Sequence, residues 1–264
     1  MPEFAQRDST GQRAREVIRK LISTRDGLLA RDGGVEFDVA HRAVAPSAWS
    51  WWNLITDSAQ ILLDEEVKGL GPVVAPVVRN LLSHALALQW LVEGGQNAVA
   101  ALDAYSDDQL LTFIDEAGKR NWKLDFPDES EVREAINDRK ATADPAFLTL
   151  KGEIGTTANL VDAYGVPRLY AAYRYLSAFS HTTRDTATLY VDRGDKGGST
   201  PRDKPRQRDH NEVIWTAGAL IQAGRVMDSI LSGQPLTKML DEATAYLGLP
   251  EDVLPKRREK RSRR

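Results

Sequence analysis

From Arg13 to Leu247 the apolar residues of this chain recur every three or four positions, and nowhere do they alternate in twos through a run of β-branched side chains. That period stacks them on one face of a helix. The sequence therefore predicts an all-α fold with almost no sheet. Helices are predicted over 13–30, 47–67, 73–93, 106–120, 128–140, 157–164, 168–191, 209–231 and 236–247. Their ends carry helix punctuation: a Ser47 cap, Gly71-Pro72, Gly94-Gly95 and Gly165-Val166-Pro167. Pro76 falls in a first turn, where its missing N–H matters least. The helices at 47–67, 73–93, 168–191 and 209–231 have wide apolar faces and comparable lengths. They predict a helical bundle of about four long helices, with shorter peripheral helices around it. Trp49, Trp51 and Trp52 are too dense for one face, so one or two of these rings are expected to reach a neighbouring helix or a partner chain.

With 264 residues, one domain over 1–250 has enough chain for a substantial core. The stretch at 194–208, GDKGGSTPRDKPRQR, has no apolar residue and reads as a mobile loop. Residues 251–264 read as a disordered basic tail, because KRREKRSRR holds seven basic residues and one Glu. The net charge of −3 thus conceals a more acidic body. Such a body is not the profile of a protein that coats nucleic acid over a broad face, although the tail can touch RNA, DNA or an acidic partner. No apolar run is long enough to span a bilayer, and the first residues do not resemble a secretory signal. These features predict a cytoplasmic protein with no membrane partner.

The chain has no cysteine and four histidines, His41, His84, His181 and His210. Thiolate chemistry and cysteine-held metals are excluded, and without a His-x3-His pair no metal site or other cofactor is expected. What remains is a set of polar groups set into apolar helices. Between Leu169 and Asp185 the residues Arg174, Ser177, His181 and Asp185 follow one another at steps of three, four and four. On a continuous helix they would form one polar stripe. A second Arg-to-His segment, RNLLSH, runs from Arg79 through Asn80 to His84. Buried guanidinium and imidazole groups need partners, so the Arg79 helix and the His181 helix are expected to be neighbours. A Ser-His hydrolase is disfavoured because no GxSxG elbow accompanies Ser177. The acidic clusters lack the ExxH partners of a di-metal bundle.

These Arg-to-His segments resemble those of the HEPN superfamily, all-helical bundles that include RNA-cleaving toxins and many members without catalysis. RNLLSH is the closer fit, with Asn80 at the usual polar position. RYLSAFSH has the longer spacing and Tyr175 in that place. The resemblance implies a homodimer with Arg and His of both subunits facing a shared cleft, and it makes Arg79, His84, Arg174 and His181 the catalytic candidates. The chain is also similar to a bacterial helical family of unknown function, through Arg79 and a later helix carrying Tyr173, Leu176, Ser177 and His181, over roughly 45–235. Asn80, Tyr173, Ser177 and Asp185 are the accompanying binding candidates.

Two functions stay open at this point. One is an RNA-directed protein acting as a metal-independent endoribonuclease in a toxin or phage-defence system, with RNA and a cognate antitoxin or other protein as partners. Its chemistry needs a base for the 2′-hydroxyl and a cation for the charged phosphorane, roles that imidazole and guanidinium suit. The other is a non-catalytic helical binding or scaffold module that uses the same polar pocket.

Overall fold

The computed structural model describes residues 9–31, 34–122, 129–142, 145–164, 166–193, 198–206, 211–250 and 253–258. The described residues are predominantly helical. In chain order the helices are α1 (Thr10–Leu29), α2 (Ala45–Val67), α3 (Ala75–Lys119), α4 (Glu129–Thr142), α5 (Pro145–Ile154), α6 (Thr157–Tyr164), α7 (Pro167–Ser177), α8 (Arg184–Ala187), α9 (Asn211–Asp228) and α10 (Thr237–Leu247). A two-stranded antiparallel sheet, β1 (Val191–Arg193) with β2 (Ser199–Pro201), lies between α8 and α9 and pairs Asp192 with Thr200.

The bundle is built from α1, α2, α3 and α9. The expectation that the helix beginning at 168 would be its fourth member is corrected: α1 takes that place. Ser9 caps α1 by accepting from Gln12 N, and Ala14, Val17, Ile18, Leu21, Ile22 and Leu28 then fall on one buried face. That face meets α9. Arg25 ties α1 to α2, donating to Asp57 at 2.6 Å and to Asn53 at 3.2 Å. Trp52 is buried in the core, with the Trp49 ring edge-on to it at 5.4 Å. Trp51 reaches across to α3, edge-on to the His84 ring at 6.1 Å.

Helix α3 joins two segments expected to be separate. Gly94-Gly95 bends it without ending it: Gly95 sits at φ 58°, ψ −141°, and helix resumes at once on its far side. The second arm, expected at the surface, carries α4 and α5. Arg133 of α4 reaches Asp115, Lys151 of α5 pairs with Asp108 at 2.6 Å, and Tyr105 donates to Gly155 O. Helix α5 itself was not expected; it buries Leu150 against Gly94.

The predicted helix over 168–191 is corrected most. Helix α7 ends at Ser177, and the next three amides donate three residues back, a tightening last turn. The cause lies at Thr183. A short hydroxyl side chain competes with the helix for backbone groups. Thr183 Oγ1 takes the carbonyl of Ala178 and caps α8, in a reciprocal box with Thr186. Beyond it, residues 198–206, expected in the mobile loop, pair with β1 or anchor near it, with Arg206 N donating to Leu189 O. The remainder of that loop lies outside the described residues.

The basic tail also departs from expectation where it is described. Val253 and Leu254 pack against the core, Gln89 donates to Pro255 O at 2.7 Å, and Arg258 N donates to Ala163 O at 2.7 Å. Arg257 pairs with Glu153 of α5. Residues 253–258 therefore form a strap over α3, α5 and α6; residues 259–264 lie outside the described residues.

Candidate functional site

Arg79 and His84 share α3 but turn away from each other. Five residues of helix rotate a side chain by about 140°. Arg79 faces α7, where its guanidinium lies over the Tyr173 ring at 5.0 Å from the centroid, a cation–π contact. Its Nε is buried without a hydrogen-bond partner among the described residues. His84 faces α2 and Trp51, and its Nδ1 lies 2.7 Å from Asn80 O. A carbonyl only accepts, so Nδ1 donates and the neutral ring keeps Nε2 as its acceptor. Asn80 is exposed, and through its carbonyl it orients this ring.

The expectation set the Arg79 helix beside the helix of His181; the helix beside α3 is α7, which carries Tyr173 and ends before His181. The polar stripe on Arg174, Ser177, His181 and Asp185 does not form, because α7 stops after Ser177. Ser177 is half-buried and donates to Tyr173 O one turn back at 2.8 Å. Arg174 is exposed on the last turn of α7. His181 is exposed in the turn that follows, and Asp185 is exposed in the first turn of α8. Between them Ser180 Oγ is buried with no hydrogen-bond partner among the described residues. A basic and an imidazole side chain thus stand in solvent at one helix end, beside an unused hydroxyl.

A second polar constellation has no sequence forerunner. Gln89, only 2% exposed, donates to Glu93 Oε1 and to Pro255 O at 2.7 Å and accepts from Gln222 of α9 at 3.0 Å. Glu93 Oε2 accepts from Tyr164 of α6 at 2.7 Å. Burial first, and the hydrogen bond to Glu93 second, push the Tyr164 phenol above the ordinary tyrosine range. The one legible signal was Gln89 itself, an amide inside the apolar run LALQWLV.

A family model described as "Family of unknown function (DUF5677)" matches residues 48–199, from α2 to the start of β2. The chain belongs to the DUF5677 family. The match takes in both Arg-to-His segments, Tyr173 and Tyr164, and leaves out α1, α9 and α10 of this chain. No curated protein and no solved structure matches the chain. A helical family of unknown function agrees with one of the two resemblances drawn from the residues. The match is also shorter than the 45–235 expected, stopping before α9.

No described helix is long and apolar enough to cross a membrane.

Proposed function

We propose that this chain is an RNA-directed protein that cleaves RNA without a metal, through Arg174 and His181. The observation that carries this reading is that these two side chains are exposed at the end of α7, whereas Arg79 is held by Tyr173 and His84 by Asn80 and Trp51. An exposed pair can meet a phosphodiester, and a second copy of the chain would supply a second pair across a shared cleft. His181 takes the proton of the 2′-hydroxyl as its oxygen bonds to phosphorus. Arg174 donates to the charged phosphorane. The bond from phosphorus to the 5′-oxygen breaks, and the imidazolium returns the proton to that leaving oxygen, giving a cyclic phosphate and a free 5′-hydroxyl.

A second reading, a binding module without catalysis, draws on the number of polar groups that satisfy one another inside the fold. The two are separated by incubating purified chain with mixed single-stranded and structured RNA. Cleavage is expected to survive EDTA and His84→Ala. It should fall by about 10²–10⁴-fold in His181→Ala, and strongly in Arg174→Ala, with the fold intact because both side chains are exposed. No cleavage by the wild type at high enzyme concentration favours the binding module. Loss with EDTA rejects the metal-free mechanism.

A further inference from the structure

A groove of about 500 Å³ runs between α3, α7, α9 and the residues Leu249, Pro250 and Val253. Its size falls within the range of about 300–1,000 Å³ typical of small-molecule sites. Leu82, Leu169, Ile214, Trp215 and Val253 make its walls apolar. The Trp215 ring is held edge-on to Tyr175 at 5.7 Å, so this wall is set before any ligand arrives. Gln222 lies at the far end from Ile214, about 12 Å along α9, with its amide nitrogen already given to Gln89. Arg168, at the start of α7, is the only charged side chain among the described lining residues. It is exposed and has no ion-pair partner among the described residues.

The floor is made by a missing side chain. Gly218 stands in the middle of α9, where glycine weakens a helix relative to alanine. Elsewhere on the same helix a glycine has a packing reason: a Cβ on Gly224 would lie 2.7 Å from Leu240 Cδ2. A Cβ on Gly218 would meet nothing within 4 Å among the described residues. Gly218 relieves no clash among the described residues; what it leaves is open space in the groove.

We infer that this groove binds an amphipathic carboxylate, with an aliphatic tail along α9 over Gly218 and its head group on the Arg168 guanidinium. The apolar walls take the tail through burial of its surface. The planar fork of Arg168 matches a carboxylate. Neither Arg174 nor His181 lines the groove, so the inference does not depend on RNA cleavage.

Calorimetric titration of the full chain with decanoate, below its micelle concentration, tests this. One decanoate per chain is expected, with a raised thermal midpoint. Decanol should bind roughly tenfold more weakly, for want of the charge-assisted head-group contact. Gly218→Leu fills the groove and should abolish binding while the thermal midpoint of the free protein holds or rises. Arg168→Gln, a surface change, should weaken decanoate about tenfold and leave decanol unchanged. The inference is overturned if decanoate does not saturate at one per chain, if decanol binds as well as decanoate, or if Arg168→Gln leaves decanoate unaffected. Should Gly218→Leu unfold the chain, the Arg168→Gln comparison still decides.

Discussion

At the scale of single residues, Gln89 uses both amide protons and its oxygen, and each bond goes to a different part of the chain. A buried polar group that loses its partners keeps its desolvation cost. Gln89→Leu is therefore expected to lower the unfolding free energy by about 1–3 kcal/mol, read from denaturant titration, because Gln222 and Pro255 O lose their partner. Tyr164 gives a test with a sign. Its folded-state pKa is raised, by burial first and by Glu93 second. The stability this contributes is complete below about pH 10, the range of a free phenol, and is lost as pH rises further, since only the unfolded chain then sheds the proton. In Tyr164→Phe the fall of stability above about pH 10 should be shallower than in the wild type. Equal slopes would mean that Tyr164 ionises in the folded protein as freely as in the unfolded one.

At the scale of elements, the bend in α3 decides where α4 and α5 go. Gly95 adopts a backbone conformation open almost only to glycine, and a Cβ there meets no neighbour, so strain alone governs its replacement. Gly95→Ala should cost about 1–3 kcal/mol, measured by denaturant unfolding beside wild type. This bend also shows what periodicity conveys. Helices α1, α2, α6, α9 and α10 were legible to within a few residues, because their apolar faces keep step with the helix. The Gly94-Gly95 pair read as a stop, since a local signal does not reveal that Leu150 packs against the bend and lets the helix go on. The end of α7 was hidden for the opposite reason: the residues to Asp185 keep helical spacing, but Thr183 caps a new helix. Of the candidate site, the sequence marked Arg79 and the segment from Tyr173 to His181 as polar groups on apolar helices, but not that the helix ends between Ser177 and His181. The Gln89 network was not, because Gln89 and Pro255 stand 166 residues apart in sequence. The groove at Gly218 is defined by a side chain that is not there.

At the scale of the whole molecule, the strap at 253–258 fastens α3, α5 and α6 together through Gln89, Glu153 and Ala163. Removing residues 255–264 strands Gln89 and Glu153, so the thermal midpoint should drop by several degrees, at about 2–4 °C for each kcal/mol lost. An unchanged midpoint would mean that the strap is not part of the folded body's stability. The pairing of α1 with α9 has a consequence of another kind. A ribosome delivers Val17, Ile18 and Leu21 nearly 200 residues before the helix that covers them. At about 5–20 residues per second, that is an interval of roughly ten to forty seconds in which α1 has only α2 beside it and the face that meets α9 is uncovered. A chain stopped anywhere before α9 is therefore expected to leave Val17, Ile18 and Leu21 without the helix that covers them.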